Sequence, residues 1–140
     1  MQQRHIQRML QQASNVEPMT LGFKPDFVPL IISGTKVHTI RAGRRWVAGQ
    51  PISFCTDLGP DNQVRFQPDG VAQTVQAIRA AVIHGTYLVE IDGRQLPAPE
   101  LAEFVCRDGF ESPDQLFHFL AGYHGLPFVG QLIHWTHLVY

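Results

Sequence analysis

Lys36, Thr39 and Arg41 fall close together in the segment Ser33-Gly34-Thr35-Lys36-Val37-His38-Thr39-Ile40-Arg41. A glycine turn there presents a lysine, and a threonine and an arginine then share one face of a strand. A lysine acts as a general base only where burial or a neighbouring cation brings its pKa towards neutrality. Arg41, Arg44 and Arg45 supply such repulsion, and a closed cleft would add desolvation. Threonine is a weak nucleophile until a base of this kind takes its proton. Left charged, Lys36 would instead join Arg41 in clamping a phosphate and stabilising a developing oxyanion. The pattern leaves both chemistries open. In a regular strand Lys36 and Thr39 would face opposite sides, so they converge only if Lys36 belongs to the turn or a bulge intervenes. Gly34 favours the turn. The plain structural alternative makes Lys36 a helix cap, Thr39 sheet packing and Arg41 a solvated charge.

An acid partner would complete such a site, and Glu90, Asp108 and Glu111 are the candidates. Glu90 lies in an otherwise apolar strand and reads as a barrel or surface residue. Asp108 stands at a helix entrance, where a structural cap is the competing role. Trp46 follows Arg44-Arg45 directly and could stack an unpaired base beside phosphate-binding guanidiniums, although an aromatic on a strand more often packs a core. Trp135, Phe54 and Tyr87 read as core. His134 and His137, three apart on a strand, face opposite ways and do not suit a shared metal ion. His118 and His124 lack a partner at ligand spacing. No phosphate-binding loop, dinucleotide fingerprint or nucleophile elbow is present, and no cofactor is implied.

These residues sit in a chain of 140 residues, 44% apolar and 16% charged, which suits one well-cored domain and argues against disorder. A net charge of −1 excludes a uniformly basic nucleic-acid coat. The balance is uneven along the chain: no acid occurs between Phe27 and Thr56, and no lysine or arginine follows Asp108. A local basic site facing a more acidic half is therefore compatible with the totals. Cys55 and Cys106 form no framework, which fits reduced thiols and a cytoplasmic setting. No apolar run reaches the roughly 20 residues of a bilayer span.

Residues 1–18 read as a polar, Gln-rich, flexible extension, with a single domain over 19–140. Phe27, Leu30 and Ile31 mark a short helix capped by Asp26 and stopped by Gly34. Strands are expected at Lys36–Arg41, Gln50–Thr56, Thr86–Ile91 and Gln131–Tyr140, with Gln63–Gln67 returning as a hairpin. Val71–Ile83 fits a helix or a strand equally well. Pro99 opens a helix carrying Leu101, Phe104 and Val105. The run Ser112-Pro113-Asp114-Gln115 is a capping box, and Leu116, Phe119, Leu120 and Tyr123 form the buried face of the helix after it. This mixture indicates an α+β domain with a curled or closed sheet.

Four segments, SGTKVHTIR, RRWVAGQPISF, RDGFESPDQLFHFL and the terminal LIHWT, occur in an order and at separations that resemble the ASCH domain family. The resemblance covers most of residues 20–140. It implies a PUA-like fold, a small β-barrel with peripheral short helices, and favours a strand near Ile78–Ile83. In that family the glycine–lysine–threonine–arginine motif lines a cleft proposed to hold nucleic acid, and Lys36, Thr39 and Arg41 occupy its positions here. One bacterial branch resembles acetylcytidine amidohydrolases, which use a lysine, a threonine and an acid. Its glutamate falls near Asp108 or Gly109, where this chain has no glutamate. Other members act on single-stranded RNA with the same lysine and a serine matched by Ser112.

The leading expectation from the resemblance is therefore binding and hydrolysis of single-stranded RNA. Lys36 and Arg41 would hold the scissile phosphate, and Ser112 or Thr39 would position or activate the 2′-hydroxyl. The alternatives are an amidohydrolase acting on acetylated cytidine, with Thr39 as nucleophile, Lys36 as base and Asp108 as acid, and a non-catalytic RNA-binding module. The low net charge leans towards a small substrate, because few phosphates could be neutralised together.

Overall fold

In a computed structural model, residues 16–59 and 61–140 are described. Most of the expected extension, residues 1–15, lies outside them. Nine strands and three α-helices follow in the order β1 (Met19–Phe23), a one-turn 3-10 helix (Pro25–Phe27) running into α1 (Val28–Ile32), β2 (His38–Ala42), β3 (Pro51–Asp57), β4 (Gln63–Arg65), β5 (Gly70–Val71), β6 (Thr74–Ile83), β7 (Thr86–Ile91), β8 (Arg94–Gln95), α2 (Ala98–Arg107), α3 (Pro113–Tyr123) and β9 (Phe128–His134).

The strands form two sheets. One has the order β1-β3-β4, with β5 also on β3, and β1 runs parallel to β3. The other, antiparallel throughout, has the order β2-β9-β6-β7-β8. No strand pairing joins the two sheets among the described residues, so the α+β expectation holds while the sheets do not close into the expected small barrel. β1 and β2 are the edge strands of their respective sheets. Arg41 of β2 spans the seam between them, donating to the Gly22 carbonyl of β1 at 2.6 Å.

The ambiguous stretch is extended. β6 lies between β9 and β7, where its period of two buries Gln76, Ile78 and Ala80 and turns Ala77 outward. The Asp92-Gly93 pair adopts positive φ (51° and 80°) and returns the chain as β8, the two-residue hairpin that Asp-Gly favours. Two apolar clusters result. Leu101, Phe104 and Val105 of α2 and Leu116, Phe117 and Leu120 of α3 pack on Ile40, Ile78, Val89 and Leu132. Leu21, Phe23, Trp46, Ile52, Phe54 and Ile133 fill the other sheet.

Three local expectations are corrected. Asp26 caps nothing, because Pro25 already opens the 3-10 turn and no side chain bonds at that helix start. On α3, Phe117 is fully buried, Phe119 only partly, and Tyr123 is exposed. The α3 stripe thus turns towards the second sheet and leaves Tyr123 on the rim. The last strand spans Phe128–His134 rather than Gln131–Tyr140. Past His134 the Thr136 hydroxyl takes the Leu138 N–H, and both backbone groups of Tyr140 go to the Gln76 side chain, which bends the chain off the ladder.

Gly130 sits in β9 between β2 and β6, and a Cβ there would lie 2.4 Å from the Arg41 carbonyl and 2.7 Å from the Phe128 ring. Backbone and a packed ring cannot both yield, so Gly130→Ala is expected to destabilise the fold by about 2 kcal/mol. A urea midpoint equal to wild type would contradict this.

Candidate functional site

Lys36 lies ahead of β2, in the turn, as its convergence with Thr39 requires. Gly34 adopts φ 81° and closes α1. The Lys36 amide then donates to Leu30 O, and the Val37 amide to Arg107 O, each at 2.9 Å. These two bonds pin the turn between α1 and the end of α2. The Lys36 side chain is 2% exposed and runs inward to Asp108, donating to its backbone carbonyl at 2.5 Å with Oδ1 at 3.5 Å. Gly109 adopts φ 95°, and a Cβ there would press on the Lys36 stem and the Phe27 ring, each at 3.1 Å. The Asp108-Gly109 pair therefore does two jobs: an acid that meets the amine and a bare backbone that lets the lysine through.

The cleft has a volume of about 270 Å³ and lies along the seam between β1 and β2. Lys36, Thr39, Arg41 and Asp108 all line it, with Phe23, Phe27, Phe110 and Phe119 as an aromatic wall. The Lys36 amine stands 5.0 Å from the Phe27 ring centre, and the Arg41 guanidinium 5.1 Å from that of Phe23. Lys24 and Tyr123 bond each other at the rim. Burial pulls the Lys36 ammonium down from its usual 10.5 to about 8, with Arg41 helping and Asp108 opposing. About a tenth of it is then unprotonated at pH 7, against a negligible share for a free lysine.

Behind Asp108 lies a buried polar chain that residue spacing did not reveal. His38 Nδ1 is 2.8 Å from Asp108 Oδ1, and His38 Nε2 is 2.7 Å from the Tyr140 hydroxyl. The His38 ring stacks on Phe104 and stands 5.2 Å from that of His134. His134 Nε2 bonds Gln76 Oε1 at 2.9 Å, while its Nδ1 has no partner. Burial lowers the pKa of both histidines, His134 to about 4, and raises the Tyr140 phenol to about 12. Each is neutral at pH 7, so Tyr140 donates to Nε2 and His38 donates to the Asp108 carboxylate. The signal available in the sequence was the strand itself: His38 and Ile40 share the face opposite Thr39 and Arg41, and a histidine on an apolar face needs polar partners.

The other expected site residues separate from this cluster. Ser112 accepts from the Gln115 amide as the α3 cap and is not among the cleft-lining residues. Trp46 is 2% exposed inside the core, its backbone latched by both ends of the Gln131 amide, so it offers no face to a base. Arg44 and Arg45 are exposed, and Arg45 lies in an adjoining groove with Arg41 and Asp57. Glu90 pairs with Arg79 across the β6–β7 ladder, and Glu111 borders a separate depression. Of the three candidate acids only Asp108 reaches the cleft. Cys55 is buried and Cys106 exposed, both free. No group of three metal-ligating side chains occurs among the described residues, and no helix there is long and apolar enough to cross a membrane.

No protein-family model, curated protein or solved structure matches this chain.

The buried Lys36–Asp108 pair has a thermodynamic signature. Lys36 binds its proton less tightly folded than unfolded, so the unfolded chain holds more protons between pH 8 and 10.5, and stability rises with pH across that window. The desolvated charge costs roughly 3 kcal/mol at neutral pH. Lys36→Met alone strands the Asp108 charge and is expected to destabilise by about 3 kcal/mol. Lys36→Met combined with Asp108→Asn removes both charges and is expected to be at least as stable as wild type at pH 7. The double variant should also lose the gain from pH 8 to 9.5; a double variant as unstable as the single one would refute the assignment.

Proposed function

We propose that the protein is a small-molecule amidohydrolase that cleaves an acyl group from an exocyclic amine, with N4-acylated cytosine nucleosides as the substrate class suggested by the ASCH resemblance. The observation that carries the reading is the convergence of Lys36, Thr39 and Asp108 on one small aromatic cleft, with Lys36 buried deeply enough to bring its pKa near 8. The cleft volume suits a single planar ring, and its phenylalanine wall offers that ring faces to lie against. The open seam between the sheets is consistent with a PUA-like barrel parted at the site.

In this mechanism neutral Lys36 takes the Thr39 hydroxyl proton as Oγ1 attacks the acyl carbonyl. The tetrahedral intermediate carries its negative charge beside the cation thus formed on Lys36, and Arg41 adds to that field. Collapse breaks the C–N bond, and Lys36 returns the proton to the departing amine. Water, deprotonated by Lys36, then attacks the Thr39 ester; the ester C–O bond breaks, Lys36 returns the proton to Thr39 Oγ1, and the carboxylic acid is released. Asp108 holds the lysine in place and tempers its charge.

Hydrolysis of single-stranded RNA has less support, because Ser112 caps a helix away from the cleft and Trp46 is enclosed. The test is release of acetate from N4-acetylcytidine, run in parallel with end-labelled single-stranded RNA, both with chelator present. Wild type is expected to release acetate with an activity that climbs as pH rises through about 8, where Lys36 loses its proton. Lys36→Ala and Thr39→Val should each lower kcat/KM by about 100-fold or more, while Ser112→Ala leaves it near wild type. Cleavage of RNA with no acetate release, abolished by Lys36→Ala, would replace this reading with the ribonuclease. Salt-sensitive RNA binding with neither product would replace it with the binding module.

A further inference from the structure

We propose that His38, braced from behind by Tyr140, is a positioning residue that sets how much of the Asp108 negative charge reaches Lys36. The geometry is a continuous line: Tyr140 hydroxyl to His38 Nε2 at 2.7 Å, His38 Nδ1 to Asp108 Oδ1 at 2.8 Å, and the same Oδ1 to Lys36 Nζ at 3.5 Å. One carboxylate oxygen thus serves two partners, and the histidine holds the closer place. Every group in the line except Tyr140 is almost wholly buried, so solvent does not share the charge.

His38 is suited to this task because its protonation is fixed. Phe104 covers one ring face, His134 stands edge-on at 5.2 Å, and Tyr140 occupies Nε2. The ring is held neutral in the tautomer that donates to Asp108. A donor on Oδ1 draws charge density from the carboxylate and keeps it turned from the amine, so the lysine is less stabilised as a cation than beside an unshared carboxylate. Without that donor the carboxylate would turn wholly to Lys36 and hold its proton to higher pH. The other charges facing this cluster are Arg41 from β2, with Asp57 of β3 and Arg45 beyond it, Arg107 from the end of α2, which also acts on Tyr140, Glu100 of α2 towards Tyr140, and Asp92 beyond Gln76 and His134. None of them bonds the shared oxygen.

The effect on rate rests on Lys36 being the base of the proposed hydrolysis, but the charge itself can be read without substrate. The chain has only two lysines, Lys24 and Lys36. Carbon-13 labelling at lysine Cε therefore yields two resonances, the exposed Lys24 serving as an internal reference. The titration midpoint of Lys36 is expected to rise by about one pH unit in His38→Leu. It should remain near wild type in His38→Asn, whose amide N–H can replace the ring donor, and should rise by a smaller amount in Tyr140→Phe. If the enzyme reading holds, the acid limb of kcat/KM moves with the midpoint. An unchanged or lowered midpoint in both His38→Leu and Tyr140→Phe overturns the proposal, even if amide hydrolysis is confirmed. Should His38→Leu fail to fold, Tyr140→Phe decides alone: a raised midpoint supports the relay and an unmoved one ends it. Raised midpoints in a protein without hydrolase activity would uphold the relay and reject the proposed reaction.

Discussion

The buried contact between Lys36 and Asp108 is the constraint around which the rest of the molecule is arranged. A primary ammonium has almost no place in a protein interior unless a compensating charge and hydrogen-bond acceptors are already there. Here a helix ends at the required point: Asp108 follows α2 and offers both its carbonyl and its carboxylate. Gly109 then gives way to the lysine stem. The turn that carries Lys36 is in turn tied by backbone bonds to α1 and to Arg107. Weaken any of these supports and the amine would find water and regain an ordinary pKa.

The remaining chemistry follows from the two faces of β2. Thr39 and Arg41 turn towards the seam, His38 turns in under α2, and Ile40 packs in the core while also bordering the cleft. Asp108 stands between these two worlds. On one side it meets the Lys36 amine that lines the cleft, and on the other a neutral, buried histidine. The seam itself exists because β1 and β2 are both edge strands and are bridged by the Arg41 side chain.

Much of this was legible in the residues. Glycine and proline punctuation located the turns at Gly34 and Asp92-Gly93 and the starts of α2 and α3, because those backbone conformations leave few alternatives. The motif from Lys36 to Arg41 was likewise readable, but the strand expected over Lys36–Arg41 begins only at His38, so of the turn and the bulge that could bring Lys36 to Thr39 the turn is the one found. Long-range assembly was not. Gln76, His134 and Tyr140 join His38 only after β9 and the final turn have folded back, and nothing in local spacing encodes that meeting. Trp46 shows the same limit from the other direction: beside two arginines it could stack a base or pack a core, and it is Gln131, far along the chain, that latches its backbone while the ring lies inside. Ser112 was readable as a cap, and the structure leaves it with that task.

The position of β9 has a kinetic consequence. It is the last strand along the described chain, yet it lies second in its sheet, between β2 and β6. Until it arrives, β2 has no partner in that sheet and β6 presents an unpaired edge, so zipping must wait for contacts that span nearly a hundred residues, such as His38 with His134. The loop-closure entropy of those contacts falls due before the buried polar chain can form. Until β9 docks, β2 and β6 expose unpaired backbone to which another copy of the chain could add. The strand that completes the sheet is thus also the one that shields its two neighbours from self-association.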